Sequence, residues 1–234
     1  IMAVVDLSKE IPGFDNGAYE VPEWVFDGNP ALVINHMQEG IAGTGKFSGA
    51  PFDQEVAAMK RYNTIENQKK LIAAFRERNL PIFWVAVVPN PIEFTPKWGF
   101  IYEMNDACAP AGHLDNPEVA EAVQIMKELG RLPSEPLFCH TGCCPLTDNH
   151  LEVMLRRHNV QDIVLTGWTI HSTLYNSLIQ LTDHYFSVVV PKDCSGSPER
   201  DEDCMQVVMN KMMRMYGLVT TLDDVIAHLP DNNK

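Results

Sequence analysis

The sequence predicts an α/β domain in which a six-stranded parallel sheet carries helices on both faces. Three observations support this. Apolar runs of strand length recur along the 234 residues, segments with helical spacing separate them, and the first run is continuously apolar, as strands covered on both faces are. That first run, "ALVINHM" at 31–37, ends in polar residues, so the carboxyl end of its strand is where function is expected.

The alternation follows in order. "TIENQKKLIAAFRERN" at 64–79 gathers Ile65, Leu71, Ile72 and Phe75 on one helical face, with Asn79 as a stop. "PIFWVAVV" at 81–88 reads as strand, 117–129 as helix, "PLFCH" at 136–140 as strand and 148–159 as helix. "DIVLTG" at 162–167, a helix from about 172 to 183, a strand at 185–194, a helix near 200–215 and a short "LVTT" complete the series. Residues 1–30, rich in proline, glycine and acidic side chains, read as an arm lying on a domain that spans 31–230. The segment "PNPIEFTPKWGFIYEMNDACAPAG" at 89–112 is too long and too rich in proline for a simple connection. Its Trp98, Phe100 and Tyr102 are candidates either to cover a pocket or to pin the loop.

Composition narrows the function classes. No apolar run is long enough to span a membrane, and no basic segment followed by an apolar core opens the chain, so a cytoplasmic protein without membrane contact is expected. The formal charge of -13, with no offsetting basic cluster, excludes nucleic acid as a partner. Six cysteines without an even framework read as reduced thiols.

Three of those cysteines lie in "LFCHTGCC" at 137–144. Structural zinc takes two separated ligand pairs, and no second pair is present. Cys139, inside the strand, reads as a small buried hydrophobe, and Cys144, just before a helix and near His140, is the cysteine with a claim to nucleophilicity. Two further strand ends carry informative residues: "VINHMQ" at 33–38 and "LTGWTIHST" at 165–173. In a parallel sheet the three ends converge.

Over Ala31–Leu229 these ends resemble the isochorismatase-like superfamily of cysteine hydrolases, which implies a Rossmann-like three-layer fold and hydrolysis of a small amide, lactam or vinyl ether. The family's Asp-Met-Gln stands here as His36-Met37-Gln38, its strand-end lysine as His140, and, counting from the Thr166-Gly167 anchor, its nucleophilic cysteine as Thr173. His171 matches a histidine of the isochorismatases proper, which themselves lack the cysteine. All three catalytic positions therefore differ from the cysteine-dependent pattern.

The resemblance implies that His36 and His140 lie within reach of each other. Two imidazoles that close cannot both be protonated without repulsion, which leaves a neutral base near pH 7. The expected machinery is His36 and His140 as acid/base partners, His171 orienting, and Thr173 near the reacting atom, either as a hindered nucleophile or as a helix cap beside an activated water. Gln38, Trp168, Thr169, Trp98 and Phe100 are the expected substrate contacts, with backbone N–H groups near Thr169 and Thr173 as an oxyanion site. A small cyclic or aromatic substrate, no cofactor and a homo-oligomer are expected. Two alternatives stay open: a zinc hydrolase with His36, His140 and His171 as ligands, and a binding protein that has lost catalysis.

Overall fold

A strand whose every side chain is apolar has to be covered on both faces, and β1 (Ala31–Asn35) meets this requirement, with all five residues buried. The computed structural model describes residues 23–44, 46–47, 50–88 and 117–231. Leu32 and Ile34 point to one side of the sheet, against Leu71, Ile72 and Phe75, while Ala31 and Val33 point to the other, against Leu151, Leu155 and Leu178.

A two-residue ribbon, β2 (Lys46–Phe47) paired with β3 (Ala50–Pro51), stands apart from the main sheet. The other strands are β4 (Ile82–Val87), β5 (Leu137–His140), β6 (Asp162–Gly167), β7 (Ser187–Pro191) and β8 (Leu218–Thr220). With β1 they form one six-stranded sheet in the order β5-β4-β1-β6-β7-β8, every pairing parallel. The chain steps outward from β1 through β4 to β5, then returns to lay β6 on the other side of β1. The direction of winding thus reverses at β1, and the crevice this opens at the strand carboxyl ends is the usual ligand position in such sheets.

The helices are α1 (Asp53–Arg61), α2 (Thr64–Glu77), α3 (Pro117–Ala122), α4 (Leu151–Arg157), α5 (Tyr175–Asp183), α6 (Glu202–Val207) and α7 (Leu222–His228). α1 follows from acidic Asp53 and Glu55 in its first turn and basic Lys60 and Arg61 in its last, which suit the helix dipole. α3 is shorter than the predicted 117–129 because the next residues pair with the segment after β1. Glu39 N–H donates to the Gln124 carbonyl and Met126 N–H to that of Met37, and these bonds displace the helical ones. α4 starts at Leu151, whose N–H is taken by the Asn149 side chain at 2.9 Å. α5 is preceded by a wider helical turn, Ile170–Leu174, and α6 runs on through another wide turn, Val208–Met212, and a tighter one, Met213–Met215.

Gly167 shows why β6 must end as it does. Its φ is +137°, and a Cβ there would lie 1.9 Å from the Asn35 carbonyl oxygen, so only glycine lets β6 close onto β1 at this point. Of the expected arm, residues 23–30 are described. Trp24 donates its indole N–H to Asp224 on α7 at 3.0 Å and stacks on His228, and Asp27 N–H bonds the Asp162 carboxylate. Cys139, expected inside the core, is exposed, because β5 stands at the edge of the described sheet. Among the described residues no helix is long and apolar enough to cross a membrane.

Candidate active site

Parallel strands lie roughly 4.8 Å apart, so β1 and β5, with β4 between them, are separated by about 10 Å. Two imidazoles reaching toward each other span that gap. His36, one residue beyond β1, and His140, the last residue of β5, meet over the end of β4 with their Nε2 atoms 2.6 Å apart and their rings stacked at 30°. His36 Nδ1 in turn lies 3.2 Å from Thr173 Oγ1. Residues expected from three separate strand ends therefore form one chain of contacts, His140–His36–Thr173, all three buried.

His36 adopts φ +58°, a left-handed conformation that a residue other than glycine holds only when its surroundings fix it. Its N–H is tied to the Val85 carbonyl at 2.9 Å. The backbone around Thr173 is also secured: the Ser177 hydroxyl donates to the Thr173 carbonyl at 2.6 Å and accepts from the Asn35 amide at 2.9 Å.

Electrostatics favour neutral imidazoles. Burial, followed by the repulsion of His140, holds His36 well below the ordinary histidine value. Burial lowers His140 to about 4, opposed by the Asp148 carboxylate and the Cys144 backbone. The two rings thus differ: His140 has groups around it that favour its cation, and His36 does not. Only one proton fits between the facing Nε2 atoms. Among the described residues His140 Nδ1 is buried without a hydrogen-bond partner of normal geometry, although the Cys144 backbone acts on the ring as an acceptor does. A proton on that nitrogen makes His140 Nε2 an acceptor, His36 Nε2 a donor and His36 Nδ1 the acceptor facing the Thr173 hydroxyl.

A cavity of about 400 Å³ opens beside this chain. His36 and Thr173 form part of its wall, joined by Val87, Cys143, Trp168 and Thr169. Its size suits a small organic molecule. Opening the helical segment after β6, the N–H groups of His171, Ser172 and Thr173 precede the first intrahelical bond, from Leu174 to the Thr169 carbonyl.

The remaining expected contacts sort differently. His171 lines the cavity, but Ser197 holds its Nδ1 at 2.7 Å and its Nε2 faces Asp201 at 3.7 Å. Burial lowers its pKa, with Asp201 opposing. It does not join His36 and His140, whose Nε2 atoms face each other. Among the described residues no group of three His, Cys, Asp or Glu side chains is placed to hold a metal, so the three-imidazole zinc arrangement is not formed. Gln38, expected to touch substrate, is wholly buried and occupied. Its amide donates to the carbonyls of Val87 and Val123 and accepts from Val87 N–H, which fastens the end of β4 to the segment after β1. Trp168 and Thr169 do line the cavity, and the peptide joining them is cis. Trp98 and Phe100 lie outside the described residues. Burial raises the thiol pKa of Cys144, and of Cys143 with Cys144 adding to it, which disfavours the thiolate a nucleophile needs.

Sequence reading missed the wall formed by Phe52, Glu55, Arg200 and Asp201. The helical charge pattern of α1 was available as a signal for Glu55. Arg200 and Asp201 showed only as members of the charged run "ERDED" at 199–203.

Comparison with solved structures gives an isochorismatase family protein from Burkholderia thailandensis, 22% identical with a TM-score of 0.68, covering 90% of this chain and 99% of that one. A cysteine hydrolase from Pseudomonas syringae pv. phaseolicola 1448A is similar at 14% identity and TM-score 0.68, covering 91% and 98%. An N-carbamoylsarcosine amidase from Thermoplasma acidophilum follows at 17% identity and TM-score 0.59, covering 84% and 98%. No curated protein matches the sequence significantly. The family model for the isochorismatase domain matches residues 30–224, which include every strand of the main sheet and the whole His140–His36–Thr173 chain, and the protein belongs to the isochorismatase family.

Proposed function

We propose that the protein hydrolyses a small cyclic or aromatic molecule, an amide, lactone or enol ether, through the His36–His140 pair and without a cysteine nucleophile. The observation that supports this most directly is the unbroken contact chain from His140 Nε2 through His36 to Thr173 Oγ1, at 2.6 and 3.2 Å, on the wall of a 400 Å³ cavity. Membership of a family that includes hydrolases supports the reaction class.

In this reading the two imidazoles act as a relay. For an amide or lactone, a water held between Thr173 and the substrate carbonyl attacks it, and His36 Nδ1 takes the water's proton. The proton on His36 Nε2 moves to His140, the ring whose surroundings favour the cation through Asp148 and the Cys144 backbone. The carbonyl π electrons move to oxygen, where the N–H groups opening the helical segment after β6 stabilise the charge. Collapse breaks the bond to the leaving group, which receives the proton from His36 Nδ1 as His140 returns its own. General acid/base transfer of this kind contributes on the order of 10²–10⁴ in rate.

The 3.2 Å contact also favours a second reading, in which Thr173 Oγ1 attacks and an acyl-enzyme forms. Assaying small amides, lactones and enol ethers against the wild type, His36→Ala and His140→Ala tests the relay. Turnover is expected to fall by about 10²–10⁴ in each variant, and equal turnover overturns the assignment. Intact-mass spectrometry of quenched reactions separates the readings: an adduct on Thr173 establishes the acyl-enzyme, and retained activity in Thr173→Val establishes water.

A further inference from the structure

The wall formed by α1 and the turn before α6 has a charge pattern that the hydrolytic chemistry does not use. Glu55 on α1 lines the cavity with its side chain only 5% exposed. One of its oxygens accepts from Arg200 Nη2 at 2.6 Å, while the other, Oε2, is buried with no hydrogen-bond partner among the described residues. A buried carboxylate oxygen left unpaired is costly unless something else supplies the donor. Asp201 lies on the same wall, 3.3 Å from Arg200 Nε.

Arg200 is the only Lys or Arg among the described residues of this wall, and it is already engaged. Nη1 donates to Gln54 Oε1 at 3.0 Å, Nη2 to Glu55 and Nε faces Asp201. A guanidinium whose three nitrogens all face protein oxygens has no free edge for the paired N–H donation by which arginine grips a ligand carboxylate. His171, between Asp201 and Ser197, has its pKa lowered by burial and adds no positive charge near neutral pH. The described wall therefore carries two carboxylates against one spent cation. The chain as a whole is at -13, so its long-range field also draws cations and repels anions.

We infer that the cavity selects a substrate carrying an ammonium or amidinium group, bound toward Glu55 and Asp201, and rejects substrates carrying a carboxylate. Such a group would donate to the unpaired side of Glu55 and bring the wall to neutrality, with the rest of the molecule lying toward Trp168 and the His36–Thr173 contact. The inference rests on this cavity being the substrate site, but its test is a binding measurement and does not need turnover, so failure of the hydrolase reading is seen separately in the assay above.

Three probes on one benzamide ring, with a cationic, an absent and an anionic meta substituent, make the test: 3-(aminomethyl)benzamide, benzamide and 3-carbamoylbenzoate, titrated calorimetrically into the intact protein at pH 7 and low salt. The cationic probe is expected to bind on the order of tenfold tighter than benzamide, and the carboxylate probe on the order of tenfold weaker. Raising the salt should narrow the spread. Glu55→Gln should bring the cation-to-neutral ratio close to one. Asp201→Asn, at a half-buried site where the fold is less at risk, should lower the same ratio severalfold, so the inference stays testable if Glu55→Gln does not fold. Equal or tighter binding of the carboxylate probe, a cation preference unmoved by either variant, or failure of the cationic probe to bind would each overturn it.

Discussion

The sheet buries titratable groups at both of its ends, and the two ends treat them in opposite ways. At the carboxyl end, His36 and His140 face each other without a counter-ion bonded to either ring among the described residues, one with a left-handed backbone and the other with an Nδ1 that has no hydrogen bond of normal geometry there. Toward the opposite end, Glu135, just before β5, accepts from Arg76 Nε and Nη2, the Trp84 indole and Leu132 N–H. Burial pushes the Glu135 carboxyl up, and the bonds from Arg76, Leu132 and Trp84 more than reverse it. One cluster is completed by its neighbours and holds the fold. The other is left incomplete where a cavity meets it, which is how sites with catalytic work differ from structural ion pairs.

The sharpest way to break this comparison is to separate activity from stability. The loss of turnover in His36→Ala and His140→Ala should far exceed what their loss of stability explains, since each leaves one buried Nε2 unpaired at a cost of about 1–3 kcal/mol. A drop in midpoint as large as that of a core truncation would move the pair into the structural class.

The same contrast sets the response to acid. His140 has its folded-state pKa lowered from the ordinary 6.5 to about 4, so between those values the unfolded chain binds a proton that the folded one refuses. Its contribution is therefore fully present above pH 6.5 and is lost as pH falls toward 4, a change worth about 3 kcal/mol, with His36 acting in the same direction. Urea unfolding from pH 7.5 to 4 should show this slope, and His140→Leu should remove its share while the part due to the burial of His36 stays. The acid limb of activity should accordingly lie below the usual histidine range, nearer pH 4.

Glu135→Ala provides the counterpart. It leaves the buried Trp84 indole N–H unpaired and releases a part-exposed Arg76, so a loss of about 2 kcal/mol is expected, with turnover per folded molecule unchanged. Chemical denaturation combined with active-site titration checks both halves.

How much of this was readable beforehand follows from which interactions are local. The central strands β1, β4 and β6 were legible because burial on both faces writes itself as nearly continuous apolar runs, and parallel winding then brings the ends holding His36 and His140 to one edge. Helix 117–129 was misread because the bonds that shorten it come from Met37 and Glu39, far away in the chain. Gln38 was placed on substrate for a similar reason: its partners Val87 and Val123 are not neighbours in sequence. The Glu55–Arg200 pair joins residues 145 positions apart and has no local signature, so the charged wall of the cavity emerged only with the structure.

The smallest expected effect concerns the cysteines, where sequence and structure pull in different directions. Three thiols beside a histidine invite a nucleophilic reading, and Cys143 does line the cavity. Yet its pKa is raised by burial and by Cys144, and among the described residues neither thiol has a cation that lowers its pKa toward a thiolate. Alkylation of the wild type could still inhibit, since an adduct on Cys143 would occupy space the substrate needs. The serine variants decide between blockage and chemistry. Cys143→Ser with Cys144→Ser should keep kcat/KM within about twofold of the wild type while becoming resistant to the reagent, whereas a loss comparable to that of His36→Ala would return the thiol to the centre of the reaction.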